Sequence, residues 1–398
     1  MKQSKQGSIF CYKGVNYLIP FLLISSLFFL WGFAHSILEV LNPHFQESFQ
    51  ISKTKAAFVQ AAVYGGYFLM ALPAGYIIRR LGYRGGVLTG LLLYGVGALL
   101  FIPGSQLHSF WFFIFSLFVI GCGLTCLETS ANPYTTVLGD PTKAESRINL
   151  SQSLNGLGWI VGPLVGGPLL FSGVSIAVPY AIVGIAVLLV AVVFARVPLP
   201  EIKDEAEEEH TPIHGTLLNR AFILGMVALF LYVAAQTGVN CFFINYMTEN
   251  AGIDHTTASL WLGFGGMGLF VFGRLTGSWL MSRVPVCGLL FVYAALAALA
   301  TLVIVLLTGL PTLVAFAIVY LCESIMFPTI FALALRSSNG NTKLASSLLI
   351  MTIVGGAIAP PIMGYVADVA GSMAPAFVLP LICFAYIALY SLVGVVKR

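Results

Sequence analysis

Four ionisable side chains, Glu39, Glu128, Arg274 and Glu323, fall inside long apolar runs of the 398-residue sequence. Glu128 is the most isolated: in GCGLTCLETSANPYTTVLG (121–139) it has no Lys or Arg within ten residues on either side. A charge at the centre of a bilayer costs about 2.5 to 3.5 kcal/mol on insertion scales, so a carboxyl kept there marks a functional position by default. Out of water such a group can hold a proton near neutral pH and release it when water or a substrate arrives, which is what a proton-coupled carrier needs. Neutral hydrogen-bonding side chains lie on the same or nearby segments: Asn132, Gln152, Asn155, Gln236, Asn240 and Asn245. Gln152 and Asn155 are three apart and share a helix face. A polyhydroxylated ligand requires such a lining, because each buried hydroxyl must be matched by a donor or an acceptor. The aromatics Tyr64, Tyr67, Trp261 and Phe327 could stack on an apolar sugar face.

The elements that must carry these residues are membrane helices. The chain is 59% hydrophobic and 9% charged, against roughly 25% charged in soluble domains. Twelve apolar stretches of about 20 residues or more can cross a ~30 Å hydrocarbon core: approximately 17–49, 55–79, 85–104, 109–138, 147–171, 176–197, 219–249, 256–283, 286–308, 310–336, 343–369 and 373–396. With the N-terminus inside, the inner loops collect almost all Lys and Arg, including Arg79, Arg80 and Arg84, and the outer loops keep Lys53 and Lys55. Both termini are then cytoplasmic, the net charge of +4 reflects this sorting, and no nucleic-acid partner is read from it. The first stretch is too long for a signal-peptide core and lacks a small-residue cleavage site. The seven cysteines show no metal spacing. No nucleophile–base pair, metal cluster or phosphate loop points to an enzyme.

The polar segment EIKDEAEEEHTPIHG divides the chain nearly in half, giving bundles 1–200 and 218–398 joined by an acidic linker, 201–217. The halves repeat one another. Gly66 and Gly75 register with Gly268 and Gly277, 202 residues apart; Glu128 and Pro133 register with Glu323 and Pro328, 195 apart. The expected fold is therefore an all-α membrane protein with twelve transmembrane helices in two pseudo-symmetric six-helix bundles, the major facilitator fold, with its binding site near mid-membrane.

CLETSANPYTTVLG, INLSQSLNGLG, AAQTGVNCFFINY and MFPTIFALAL resemble the fucose/galactose/glucose:proton symporter family of the major facilitator superfamily, from about Ile19 to the last helix. GYIIRRLG agrees, since it puts Arg79 where the superfamily's second loop usually has an acid and this family tends to carry a base. The resemblance implies that Glu128 contacts sugar hydroxyls, that Glu39 carries the coupled proton, and that Gln152, Asn155 and Gln236 lie near the sugar. Gln236 in AAQTG leans toward L-fucose over galactose or glucose. Fucose-type members usually show Asp with Asn-rich neighbours on the first helix, where this chain has HSILE.

The expectation is a monomeric inner-membrane carrier in the lipid bilayer. It would take up a monosaccharide with a co-transported proton and need no cofactor or metal. Glu39 and Glu128 are the coupling residues, and Glu128, Asn132, Gln152, Asn155, Gln236, Asn240, Tyr67 and Phe327 the sugar contacts. Arg79, Arg80, Arg274 and Glu323 are the conformational or ion-pair candidates. Two alternatives stand beside it. GWIVGPLVGG fits a glycine pattern of proton-coupled efflux antiporters, and a sodium-coupled sugar symporter could recruit Glu39, Ser36 and Asn42 as oxygen ligands.

Overall fold

The structure is a computed structural model that describes residues 11–12, 15–139, 144–197, 219–281, 283–337 and 342–396. A two-residue antiparallel pair, β1 (Cys11–Tyr12) and β2 (Val15–Asn16), precedes the helices. The helices are α1 (Leu18–Phe49), α2 (58–81), α3 (83–106), α4 (Phe110–Val137), α5 (Ala144–Leu170) and α6 (Ala177–Arg196), followed by α7 (Arg220–Ala251), α8 (His255–Met281), α9 (Val286–Leu306), α10 (Leu310–Arg336), α11 (342–370) and α12 (374–396). Among the described residues, ten stretches are long and apolar enough to cross a membrane. One of them, Lys53–Gln106, contains both α2 and α3, and α5 supplies the twelfth helix. Each expected span thus has a helix.

The breaks in these helices have local causes. α2 and α3 separate at Gly82 (φ 71°, ψ 175°), a backbone conformation that a residue with a Cβ rarely adopts. α10 breaks at Ser324 and Ile325, between Leu310–Glu323 and Met326–Arg336. Pro328 has no N–H to give the Ser324 carbonyl and its ring crowds that group, which ends the helical ladder there. α8 passes through a π-turn, Leu262–Met267, in its glycine-rich stretch. Pro43 inside α1 likewise leaves the Glu39 carbonyl without its helical donor.

The described residues group into two compact units. One holds α1 as far as Ile37 and the chain from Gly65 through α6. In it, α1 and α5 meet along small residues. A Cβ on Gly158 would lie 2.3 Å from the Phe29 carbonyl oxygen, and one on Gly162 would strike the Ser36 hydroxyl. Ser36 donates to the Gly158 carbonyl (3.1 Å), and the Ser25 and Ser151 hydroxyls share a hydrogen bond of 2.8 Å. Close backbone approach with hydroxyl cross-links is how helices associate where the surroundings are as apolar as their side chains.

The other unit holds Leu38–Tyr64 and α7 to α12. The second part of α1, the turn after it and the start of α2 therefore pack with helices of the C-terminal half. Asp368 on α11 accepts the backbone N–H groups of Lys53 (3.0 Å) and Thr54 (2.9 Å), and Gly364 leaves room for that turn. Lys53 pairs with Glu249 at 2.7 Å, and Glu249 also accepts the Met373 N–H. The same helix pairs meet in both halves, α2 with α4 at Gly66 and α8 with α10 at Gly273 and Gly277, although the registered partners Gly268 and Gly75 meet no atom of α10 or α4 within 4 Å.

Candidate functional site

In the first unit, three helices converge on one hydroxyl. Tyr67, buried on α2, accepts the indole N–H of Trp31 at 2.6 Å and lies 3.0 Å from Nε2 of His35, both on α1. Its third partner is the carboxyl of Glu128 on α4. The His35 ring, also buried, stacks on Trp159 of α5 with centroids 5.7 Å apart and 18° between planes. Trp31 and His35 are four residues apart, so both point from the same face of α1 toward Tyr67.

A phenolic hydroxyl has one proton and two lone pairs, which makes the cluster directional. Trp31 can only donate. When Glu128 is ionised, Tyr67 donates to it and His35 must present Nε2–H to the Tyr67 oxygen. When Glu128 is protonated it can donate instead, and the Tyr67 proton is free to turn to His35. The protonation of one carboxyl therefore sets the hydrogen-bond sense of three side chains, Glu128, Tyr67 and His35, while Trp31 donates throughout.

Asn155 takes a different position. It is buried and spends an amide hydrogen on the Phe28 carbonyl at 3.1 Å, across the α1–α5 seam. Gln152, one turn earlier on α5, is half-buried. The side chain of Asn132 lies outside the described residues. Arg79 and Arg80 are exposed, and the Arg80 guanidinium lies 5.2 Å from the centre of the Tyr76 ring.

In the second unit, Glu39 is buried (2% exposed) and accepts a hydrogen bond from Gln60 at 2.9 Å. One turn along α1, Asn42 donates to the Cys241 carbonyl at 2.9 Å, and Asn245 donates to Gln46 at 2.9 Å. Tyr64 receives the Thr237 hydroxyl at 3.3 Å and abuts Gly356. Gln236 is half-buried on α7, while Asn240 is buried and its side-chain amide oxygen has no hydrogen-bond partner among the described residues. Phe327 packs near Tyr232, with centroids 6.0 Å apart, and Trp261 is exposed.

Among the described residues, no ion pair joins Glu323 to Arg274. Neither Glu323 oxygen has a hydrogen-bond partner among the described residues, and the Arg274 guanidinium lies over the Phe270 ring at 4.9 Å.

Residues 24–351 match the Major Facilitator Superfamily. The chain is 35% identical to the L-fucose-proton symporter of Escherichia coli, covering 94% of this chain and 93% of that one. It is 34% identical to a glucose/galactose transporter of Brucella abortus, covering 95% of each. The chain belongs to the major facilitator superfamily, within its fucose/galactose/glucose:proton symporter family. A crystal structure of the E. coli fucose:proton symporter superposes on this family member with a TM-score of 0.68 at 34% identity, covering 94% of this chain and 98% of that one. A bacterial homologue of the lysosomal transporter Spinster, in an inward-facing and unoccupied conformation, shares the fold at 15% identity (TM-score 0.77), with 96% of this chain and 98% of that one covered. The chain is thus a multi-pass membrane transporter and not an enzyme.

Three residues of this cluster escaped sequence reasoning: Trp31, His35 and Trp159. Two signals were available. Trp31, His35 and Glu39 recur at intervals of four on α1, and His35 is a polar ring within an apolar run.

Proposed function

We propose that the chain is a bacterial inner-membrane symporter that takes up a monosaccharide together with a proton by alternating access, L-fucose being favoured over galactose and glucose. The observation that carries this reading is the Tyr67 hydroxyl shared by Trp31, His35 and Glu128. It joins a proton-binding carboxyl to polar aromatic groups of the kind that bind the two surfaces of a sugar ring, hydroxyl edge and apolar face. The names of the relatives, an L-fucose-proton symporter and glucose/galactose transporters, support the substrate class.

In this mechanism a sugar hydroxyl competes with Tyr67 for the Glu128 carboxyl. Gln152, Asn132 and one amide hydrogen of Asn155 add hydrogen bonds from the N-terminal half, and Gln236, Asn240 and Phe327 act from the C-terminal half. Glu39 carries the coupled proton, and as the neutral acid it can remain in its buried place beside Gln60. The proton is cargo, and the reading calls for no cofactor. The working unit is a monomer with both termini cytoplasmic and with halves 1–200 and 218–398 joined by the acidic linker 201–217. Gly158 and Gly162 of GWIVGPLVGG are occupied in the α1–α5 seam, a packing role that serves either direction of transport, so they give efflux no advantage.

Calorimetric titration of the purified chain tests the site. L-Fucose is expected to bind, and Glu128→Gln to weaken it at least tenfold. No heat with L-fucose, D-galactose or D-glucose would remove the substrate class.

A further inference from the structure

The carboxyl of Glu323 has no role in the reading above, and its surroundings are unusual. It is fully buried, and neither oxygen has a hydrogen-bond partner among the described residues. An ionised carboxylate without donors in such a place is far more costly than the neutral acid. Glu323 is also the last residue before the break in α10. The Tyr232 hydroxyl donates to its backbone carbonyl at 2.9 Å, tying the broken ladder to α7. In the duplicated sequence it occupies the position of Glu128, 195 residues on.

Tyr232, Tyr320 and Cys322 are the titratable groups within range of it, and through Tyr232 and Tyr320 the charges of two further helices come near. Tyr232 on α7 lies within range of the charges of both Glu323 and Arg274, the latter on α8. Tyr320 and Cys322 stand on α10 itself, and Tyr320 is within range of both Glu323 and Glu39 of α1. The Tyr320 hydroxyl is buried with no hydrogen-bond partner among the described residues. One donor able to stabilise a carboxylate, the Tyr320 hydroxyl, is therefore close to Glu323 but not engaged with it, and Arg274 stands within range of the Tyr232 that Glu323 also reaches.

We propose that Glu323 is a second proton-binding carboxyl of the transport cycle, loaded in the arrangement described here and discharged when movement at the α10 break brings the Tyr320 hydroxyl or the Arg274 guanidinium onto it. On discharge the carboxyl O–H bond breaks, the proton passes to water, and the arriving donor hydrogen-bonds the carboxylate left behind. This inference rests on the reading of the chain as a proton-coupled sugar carrier.

The test uses the full chain in liposomes. Sugar exchange at equal pH needs no net proton movement, whereas uphill accumulation driven by a pH gradient does. With L-fucose as the probe, Glu323→Gln is expected to exchange within twofold of wild type and to lose accumulation at least tenfold, with Glu323→Asp recovering part of it. Infrared spectra taken without sugar should show a protonated carboxyl C=O band in wild type that Glu323→Gln removes. Wild-type accumulation by Glu323→Gln would overturn the proposal, as would an unchanged carboxyl band. Should Glu323→Gln lose exchange as well, the band decides between a proton site and a packing residue. If wild type itself fails to exchange L-fucose, the sugar reading falls, while the band still reports on Glu323.

Discussion

Trp31 places its indole N–H 2.6 Å from the Tyr67 hydroxyl, tying α1 to α2 at the point where α4 delivers Glu128. Removing that hydroxyl strands the Trp31 donor and takes a partner from His35 and Glu128. An unsatisfied buried donor costs about 1–3 kcal/mol, and about 1.4 kcal/mol is tenfold in affinity. Tyr67→Phe should therefore weaken L-fucose binding by roughly 10- to 100-fold. Calorimetry with purified protein measures this. An unchanged affinity would detach the cluster from the sugar.

Glu39→Gln keeps an amide that can still face Gln60 but carries no exchangeable carboxyl proton. Exchange of sugar at equal pH should survive in this variant. Accumulation against a gradient should fall at least tenfold, and the stimulation of uptake by external acid should vanish. Measuring uptake across external pH in both proteins checks this, and acid stimulation persisting in the variant would count against Glu39 as the coupling group.

The α1–α5 seam predicts a contrast between two glycines. A Cβ at Gly158 would sit 2.3 Å from backbone, while one at Gly65 would meet nothing within 4 Å. Overpacking typically costs about 1–3 kcal/mol. Gly158→Ala should lower the melting temperature in detergent and reduce transport, and Gly65→Ala should change neither downward. Equal melting temperatures would refute the seam.

Much of this was legible in the sequence, because crossing a bilayer demands about 20 apolar residues and an acid inside such a run stands out. Glu39 and Glu128 were visible for that reason. Trp31 and Trp159 were not, since a chain with 13% aromatic residues gives a single Trp no contrast and only the fold shows that it meets His35 or Tyr67. Asn155 reads from sequence as a sugar ligand, yet one of its amide hydrogens is committed to the Phe28 carbonyl. The packing of Leu38–Tyr64 with the C-terminal helices was likewise hidden, because it depends on contacts between residues far apart in the chain, such as Asp368 with Thr54, 314 apart, and Asn42 with Cys241, 199 apart.

That packing makes Cys241 a natural reporter. It is fully buried and contacts Asn42, whose amide donates to its carbonyl. Asp368→Ala removes the acceptor of two backbone N–H groups, each bond worth about 0.5–1.5 kcal/mol. Alkylation of Cys241 by a membrane-impermeant thiol reagent, followed by peptide mass spectrometry, should accelerate about five- to tenfold or more in the variant. A rate equal to wild type would mean that these contacts do not hold the segment in place.

The proposed cycle moves a sugar and a proton together, and external pH during sugar addition to lightly buffered cells expressing the protein measures this most directly. L-Fucose, D-galactose and D-glucose are added in turn. Prompt external alkalinisation with L-fucose, larger than with the other two and absent in Glu39→Gln cells, is the predicted result. No alkalinisation with any of the three, or sugar uptake that follows sodium at fixed pH, would contradict it.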